Sequence, residues 1–178
     1  MDSINKNQPE DNFEDLAGEK GVEKLKEMGK EYPTCFFCTS IATGRQFSAR
    51  PMSVQQVDDE GNFWFLSADD SAKNRELFLD PFVQLLFQGS KHADFLTVYG
   101  EASISKDKQK IKELWQPIAK AWFTDGEDDP RITVIKVTPD NGYYWDTKNG
   151  KLVSMVKIAV GALLGKTLDD SVEGNIDL

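Results

Sequence analysis

Phe65-Leu66-Ser67-Ala68-Asp69-Asp70-Ser71-Ala72-Lys73 is the stretch on which the fold turns. Phe65 to Ser67 has strand character. Asp70 or Ser71 then offers a side chain to cap a helix that runs to about Leu79, where Asp80-Pro81 closes it. A strand that ends in a hydroxyl and passes into a capped helix carrying a lysine makes a cradle for phosphate. The helix start leaves N–H groups free, and the lysine adds a point charge. Arg50, in Ser48-Ala49-Arg50-Pro51-Met52-Ser53, brings a second cation, and Arg75 lies one turn into the helix. The plainer alternative is a solvated helix on which Lys73 and Arg75 pair with Asp69 and Asp70, as most charge clusters do.

Working outward, strand-like segments precede the cradle at 34–42, 46–57 and 62–67, with Asp59-Glu60-Gly61-Asn62 as a hairpin turn. Two more follow at 82–88 and 94–105, where Gly100 marks a bulge or kink. Strands at 131–138 and 142–146 flank the turn signal Pro139-Asp140-Asn141-Gly142. Helical stripes lie at Phe13, Leu16, Ala17, Val22, Leu25 and Met28, at Ile111, Leu114, Trp115 and Ile118, and at Val153, Val156, Val160 and Leu163. Strands in succession joined by tight turns pair antiparallel. This many of them with few helices predict a mainly β fold with flanking helices, closed as a small Greek-key barrel. The organisation expected is a disordered tail over 1–11, one domain over 12–165 and an acidic tail over 166–178.

Composition narrows the function. A net charge of -9 disfavours nucleic acid and anionic membranes as partners, but not a small anion held by one basic pocket. No apolar run is long enough to span a bilayer, and Met1 to Glu10 lacks a secretory pattern, so the expected location is cytoplasmic. Cys35 and Cys38 form a Cys-Phe-Phe-Cys within strand-like sequence, where positions i and i+3 face opposite ways and cannot share a disulfide or a metal. The one histidine, His92, sits in a polar loop, so neither a zinc site nor a Ser-His-Asp triad is indicated. Nucleotide loops of the Gly-x-Gly-x-x-Gly or Walker kind are absent.

Three stretches in this order and spacing carry a resemblance: Arg50-Pro-Met-Ser-Val-Gln55, Phe65 to Lys73 continuing through Asp80-Pro81 to Phe87, and Val98-Tyr-Gly-Glu-Ala102. Together they resemble the pyridoxamine 5′-phosphate oxidase-like FMN-binding split barrels, and Leu114 to Phe123 with Asp128-Asp129-Pro130 is similar to their general stress protein 26 branch. The resemblance implies an antiparallel split β-barrel that binds FMN, with FAD as a possible substitute. It implies that Arg50 and Lys73 pair with the flavin phosphate, that Ser67 and Ser71 donate hydroxyl bonds to it, and that strand 50–55, with Arg50, Pro51, Met52, Ser53 and Val54, lies along the ring with its backbone at the polar edge. It implies further that the aromatic pair Tyr144-Trp145, Trp145 above all, meets the flavin from a partner subunit, making a homodimer with flavin at the interface and a small-molecule redox partner of unknown identity.

The departures bear on activity. The oxidase has lysine where this chain has Gln55, arginine where it has Ala72 and glutamine where it has Phe95. Its Arg-Leu-His-Asp-Arg segment corresponds to Lys148 to Ser154 here, without arginine or histidine. Losing those groups removes the grip on a phosphorylated pyridine. The expectation is a flavin-dependent oxidoreductase of another substrate, with Tyr99 and Tyr144 as the candidates for a general acid or base, or else a non-catalytic flavin carrier or sensor.

Overall fold

The computed structural model describes residues 12–41, 46–89, 94–147 and 171–178. The expected tail over 1–11, His92, Lys148 to Ser154 and the expected last helix at Val153 to Leu163 lie outside the described residues. In chain order the elements are β1 (Leu16–Ala17), α1 (Glu19–Glu31), β2 (Thr34–Thr39), β3 (Ser48–Ser53), β4 (Gln56–Val57), β5 (Phe63–Ala68) and α2 (Ala72–Leu79). Then come β6 (Phe82–Gln88), β7 (Phe95–Ser105), α3 (Lys108–Leu114), 3-10 turns at Pro117–Ala121 and Gly126–Asp128, β8 (Ile132–Thr147) and β9 (Ser171–Asp177).

The strands hydrogen-bond in the order β3-β2-β6-β7-β8-β9-β1, and β5 pairs with both β4 and β8. Every pairing is antiparallel except that of β1 with β9. The sheet divides at β8. The first half of β8 pairs with β5 (Phe63↔Val137 to Ala68↔Ile132), and the second half pairs with β9 (Asn141↔Asp177 to Thr147↔Ser171). This is the split barrel that the sequence predicts.

Alternation explains the interior. Along β5, Phe63, Phe65 and Ser67 are buried, while Trp64, Leu66 and Ala68 are half-buried on the other face. The inward set joins Leu25 and Met28 of α1, Phe37, Leu85, Leu96, Val98 and Val137 in the main core, where Phe37 and Phe65 meet edge to face at 5.2 Å. The outward set is covered by Ile111, Leu114, Ala119 and Phe123. Trp115 packs against that second cluster, whereas Trp122 is exposed.

Three expectations are corrected. Leu16 and Ala17 are not helical: they form β1, and α1 begins at Glu19. The Pro139–Gly142 turn does not form, because β8 runs straight through it and the irregularity is a register shift at Tyr99/Gly100, opposite Pro139. Proline has no N–H to give a ladder, so a bulge is where a strand tolerates it. Gly100 fits that place because a Cβ there would lie 2.3 Å from the Thr138 carbonyl oxygen. Finally, 171–177 is not tail but β9, its acidic and polar residues alternating with Gly174 and Ile176, which are buried.

Candidate functional site

The cradle is assembled by three elements. β3 carries Arg50 inward, opposite Phe37 of β2. β5 delivers Ser67 at its buried end, and α2 begins there with Ser71 as its N-cap, its Oγ accepting from the Asn74 N–H. Lys73 follows in the first turn and is only 7% exposed. Its Nζ donates to the Ser67 hydroxyl and lies 3.5 Å from the Ser71 hydroxyl. Among the described residues no carboxylate lies within ion-pair distance of it.

A second layer fixes the hydroxyls. Ser67 Oγ donates to Asn74 Oδ1 at 2.7 Å, Asn74 Nδ2 donates to Thr133 Oγ1 at 2.9 Å, and Thr133 Oγ1 donates to the Ser67 carbonyl at 2.9 Å. Arg50 is held from the other side. Its Nη2 donates to Glu76 Oε2 at 2.7 Å, and Glu76 also accepts from the Thr39 and Ser48 hydroxyls. Among the described residues, Arg50 Nη1 is buried with no hydrogen-bond partner.

The electrostatics follow from this crowding. Burial, and then the neighbouring Arg50 charge, push Lys73 down to about 8 against an upward pull from Glu76. Burial works to raise Glu76, but the bonds from Thr39, Arg50 and Ser48 outweigh it and hold the carboxyl below its ordinary range. Two cations stand together here, and among the described residues one has no counter-ion and the other an unused buried donor. Such a group favours an anion that brings several acceptor oxygens. A phosphate fits this donor set.

The plainer reading of the helix fails for Lys73 and holds for Arg75 in its exposure, though not in an ion pair with Asp69 or Asp70. Arg75 is exposed and donates to the Asp70 carbonyl at 2.6 Å, and Asp69 pairs with Lys106 at 2.6 Å. Of the remaining predicted residues, Pro51 and Ser53 are exposed on the outer face of β3, while Met52 and Val54 point inward against the main core. Among the described residues β3 pairs only with β2, so its other edge presents backbone donors and acceptors. Trp145 is not at the cradle. It sits on β8 between Phe95 and Glu173, its ring 4.4 Å from Tyr143, with β7, β6 and β2 between it and β3.

Sequence reasoning missed Glu76, Thr39, Asn74 and Thr133, which are polar residues without a local signal. Neither candidate proton donor reaches the site. Tyr144 is buried with its hydroxyl donating to the Glu14 carbonyl at 2.9 Å, and Tyr99 stacks on Phe82 at 6.0 Å. Cys35 and Cys38 are free, buried and paired with residues on opposite faces of β3, Met52 and Ala49. No helix among the described residues is long and apolar enough to cross a membrane.

Comparison with known proteins adds the lineage. Residues 20–169 match the family described as pyridoxamine 5′-phosphate oxidase like. The protein bli-3 of Neurospora crassa is 28% identical over 127 residues, which are 66% of this chain and 61% of that protein, so the match spans about three fifths of the relative. Among solved structures, a general stress protein 26 of Jannaschia sp. CCS1 superposes with a TM-score of 0.73 at 23% identity, over 90% of this chain and 100% of the other. The general stress protein 26 of Bacillus anthracis gives a TM-score of 0.61 at 25% identity, over 69% and 92%. A general stress FMN/FAD binding protein of Xanthomonas citri gives 0.57 at 24%, over 68% and 84%, and speaks to the fold. Because the family match takes in the strand of Arg50, the helix of Lys73 and the long β8 alike, this chain belongs to the pyridoxamine 5′-phosphate oxidase-like family.

Proposed function

We propose that this protein binds a flavin by its phosphate, with FMN as the principal ligand and FAD held by the same group. The observation that carries the reading is Lys73, buried and, among the described residues, without a carboxylate, beside an Arg50 whose Nη1 those residues leave unused. Arg50 and Lys73 would pair with the phosphate, Ser67 and Ser71 would add hydroxyl bonds, and the chain at Pro51, Met52 and Ser53 of β3 and the following Val54 would run along the polar rim of the ring. Bound flavin supplies hydride and electron transfer. The chain's part is to hold the phosphate, exclude water from its donors and orient the ring.

A partner subunit is part of the proposal. Trp145 stands several strands from β3 along the sheet of its own chain, which supports a reading in which it meets the ring from a second copy. The protein would then be a cytoplasmic homodimer with two interfacial sites. Its redox role is that of an oxidoreductase acting on something other than pyridoxamine 5′-phosphate, as Gln55, Ala72 and Phe95 stand where that substrate's enzyme differs. The engagement of Tyr144 with Glu14 and of Tyr99 with Phe82 favours a second reading, a flavin carrier or sensor with no proton donor of its own.

Flavin fluorescence titration tests the binding. Wild type should quench FMN, and an Arg50→Ala, Lys73→Ala double variant should lose several kcal/mol of affinity, at about 1.5–3 kcal/mol for each charge-assisted bond. Equal FMN affinity in the two proteins would place the phosphate elsewhere. Sedimentation should give a dimer. Reduction of the bound flavin by NAD(P)H, with turnover, would separate enzyme from carrier.

A further inference from the structure

The helix α2 has two unlike faces. Lys73, Asn74 and Leu77 are buried, whereas Arg75, Phe78 and Leu79, at spacings i, i+3 and i+4, share an exposed one. Phe78 is 88% exposed and Leu79 84%, more than any other large hydrophobic residue among those described. Facing them, the end of β7 and the residue after it bring Ile104, Ser105 and Lys106, and the two walls bound a groove of about 620 Å3. Asn74 and Thr133, the buried pair that fixes Ser67, form its floor. Arg50, Ser67, Ser71 and Lys73 do not line it, so it is a compartment beside the cradle and not a part of it.

Three charged side chains line the groove. Lys106 is paired with Asp69 at 2.6 Å, while Arg75 donates to a neutral acceptor, the Asp70 carbonyl, at 2.6 Å. No carboxylate among the described residues lies within ion-pair distance of Arg75. A surplus positive charge therefore stands one turn from apolar walls, in a chain whose net charge is -9. We propose that the groove between α2 and the end of β7 is a second ligand site, which takes a small organic anion: a carboxylate on an apolar body of about eight to ten carbons, its head on Arg75 and its body against Phe78, Leu79 and Ile104.

The size of the groove falls among small-molecule sites, which hold roughly 300–1,000 Å3 and join apolar walls to a few convergent polar groups. A guanidinium takes a carboxylate through two parallel bonds, which fixes the head of the ligand while the walls remove its body from water. A neutral ligand would desolvate Arg75 without giving it a counter-charge, and a cation would be repelled. A second copy of this chain is a poor occupant. An isologous contact would set the surplus charge of one copy against that of the other. The site does not depend on the flavin reading, because no residue proposed to bind the flavin lines it.

Titration calorimetry of octanoate, octan-1-ol and octylammonium into the full chain tests this. Octanoate should bind with a Kd on the order of 100 µM, and the alcohol and the ammonium at least about tenfold more weakly. Arg75→Gln should weaken octanoate about tenfold and leave octanol unchanged, and Phe78→Ser should weaken both by about threefold or more. Both substitutions fall at exposed positions, and the comparison of the three ligands on wild type stands without them. Octanoate that binds no better than octanol, or equally well to Arg75→Gln, overturns the proposal. So does displacement of octanoate by saturating inorganic phosphate or FMN, which would put the anion in the cradle. Loss of an oligomer in Phe78→Ser, seen by sedimentation, would give the groove to a second copy and overturn it as well.

Discussion

The guanidinium of Arg50 meets the carboxylate of Glu76 at 2.7 Å, tying the edge strand β3 to the helix α2. The helix and the strand that form the cradle are therefore locked to each other through the same arginine that is proposed to meet the phosphate. Because Glu76 is held below its ordinary range, its contribution to stability is present above the unfolded carboxyl pKa and is lost as pH falls through the lower folded one. Both side chains are about a quarter exposed, so solvent weakens the pair. Glu76→Gln should cost about 1 kcal/mol in urea melts at pH 7, and the gap to wild type should close below about pH 4. A gap that persists unchanged in acid would mean the pair contributes nothing through its charge.

Lys73 gives the opposite signature in base. Its folded pKa is down at about 8 against the ordinary 10.5 of a lysine, so burying its charge penalises the fold below pH 8, and the penalty lifts as pH rises from 8 toward 10.5. Cys35, pushed up to about 12 by burial and then by Cys38, works against this from about pH 9 upward. The difference between two proteins isolates the lysine. Lys73→Met should be more stable than wild type at pH 7, by on the order of 1–3 kcal/mol, and the advantage should shrink by pH 9.5. Phosphate ligands should reverse the ranking at pH 7. Chemical denaturation at the two pH values, with and without FMN, is the measurement.

Neither cysteine should react in the native state. Burial raises both thiols, outweighing the pull of Arg50 on Cys38, so little thiolate forms and none is reachable. A chromogenic disulfide reagent at pH 8 should label the unfolded chain at both thiols and the folded chain only at the rate of opening. Rapid labelling of native protein would place one of these thiols at a mobile surface.

Gly100→Ala should destabilise strongly. The added Cβ would stand 2.3 Å from the Thr138 carbonyl oxygen, and the obstacle is backbone rather than a side chain that could swing away. A loss of about 2–4 kcal/mol is expected from such overpacking, read as a shift in the urea midpoint. A cost under about 0.5 kcal/mol would show that the bulge can relax.

Legibility in the sequence followed locality. Ser71, Lys73 and the close at Asp80-Pro81 are contiguous, so cap and breaker chemistry located α2 and half of the cradle directly. Glu76, Thr39, Asn74 and Thr133 acquire their roles only when β2, β5, β8 and α2 meet, and nothing in their neighbours announces it. At Pro139-Asp140-Asn141-Gly142 local chemistry misled, because the residues that favour a turn also suit a bulge, and pairing with β7 and β9 decided for the bulge. β9 was hidden for a related reason: Ser171 to Asp177 is mostly polar, and its strand is made by the partners waiting for it rather than by its own propensity.

The division of the sheet at β8 has a consequence for how the molecule comes apart. One strand completes the ladder of β7 along its whole length while its opposite edge is shared between β5 and β9, so neither branch has a boundary at which it could melt and leave the other intact. Its partners are also remote along the chain, Phe63 lying against Val137, so assembly must await a long search before the pairing rewards it. A barrel joined through a single keystone strand is slow to close and opens in one cooperative step.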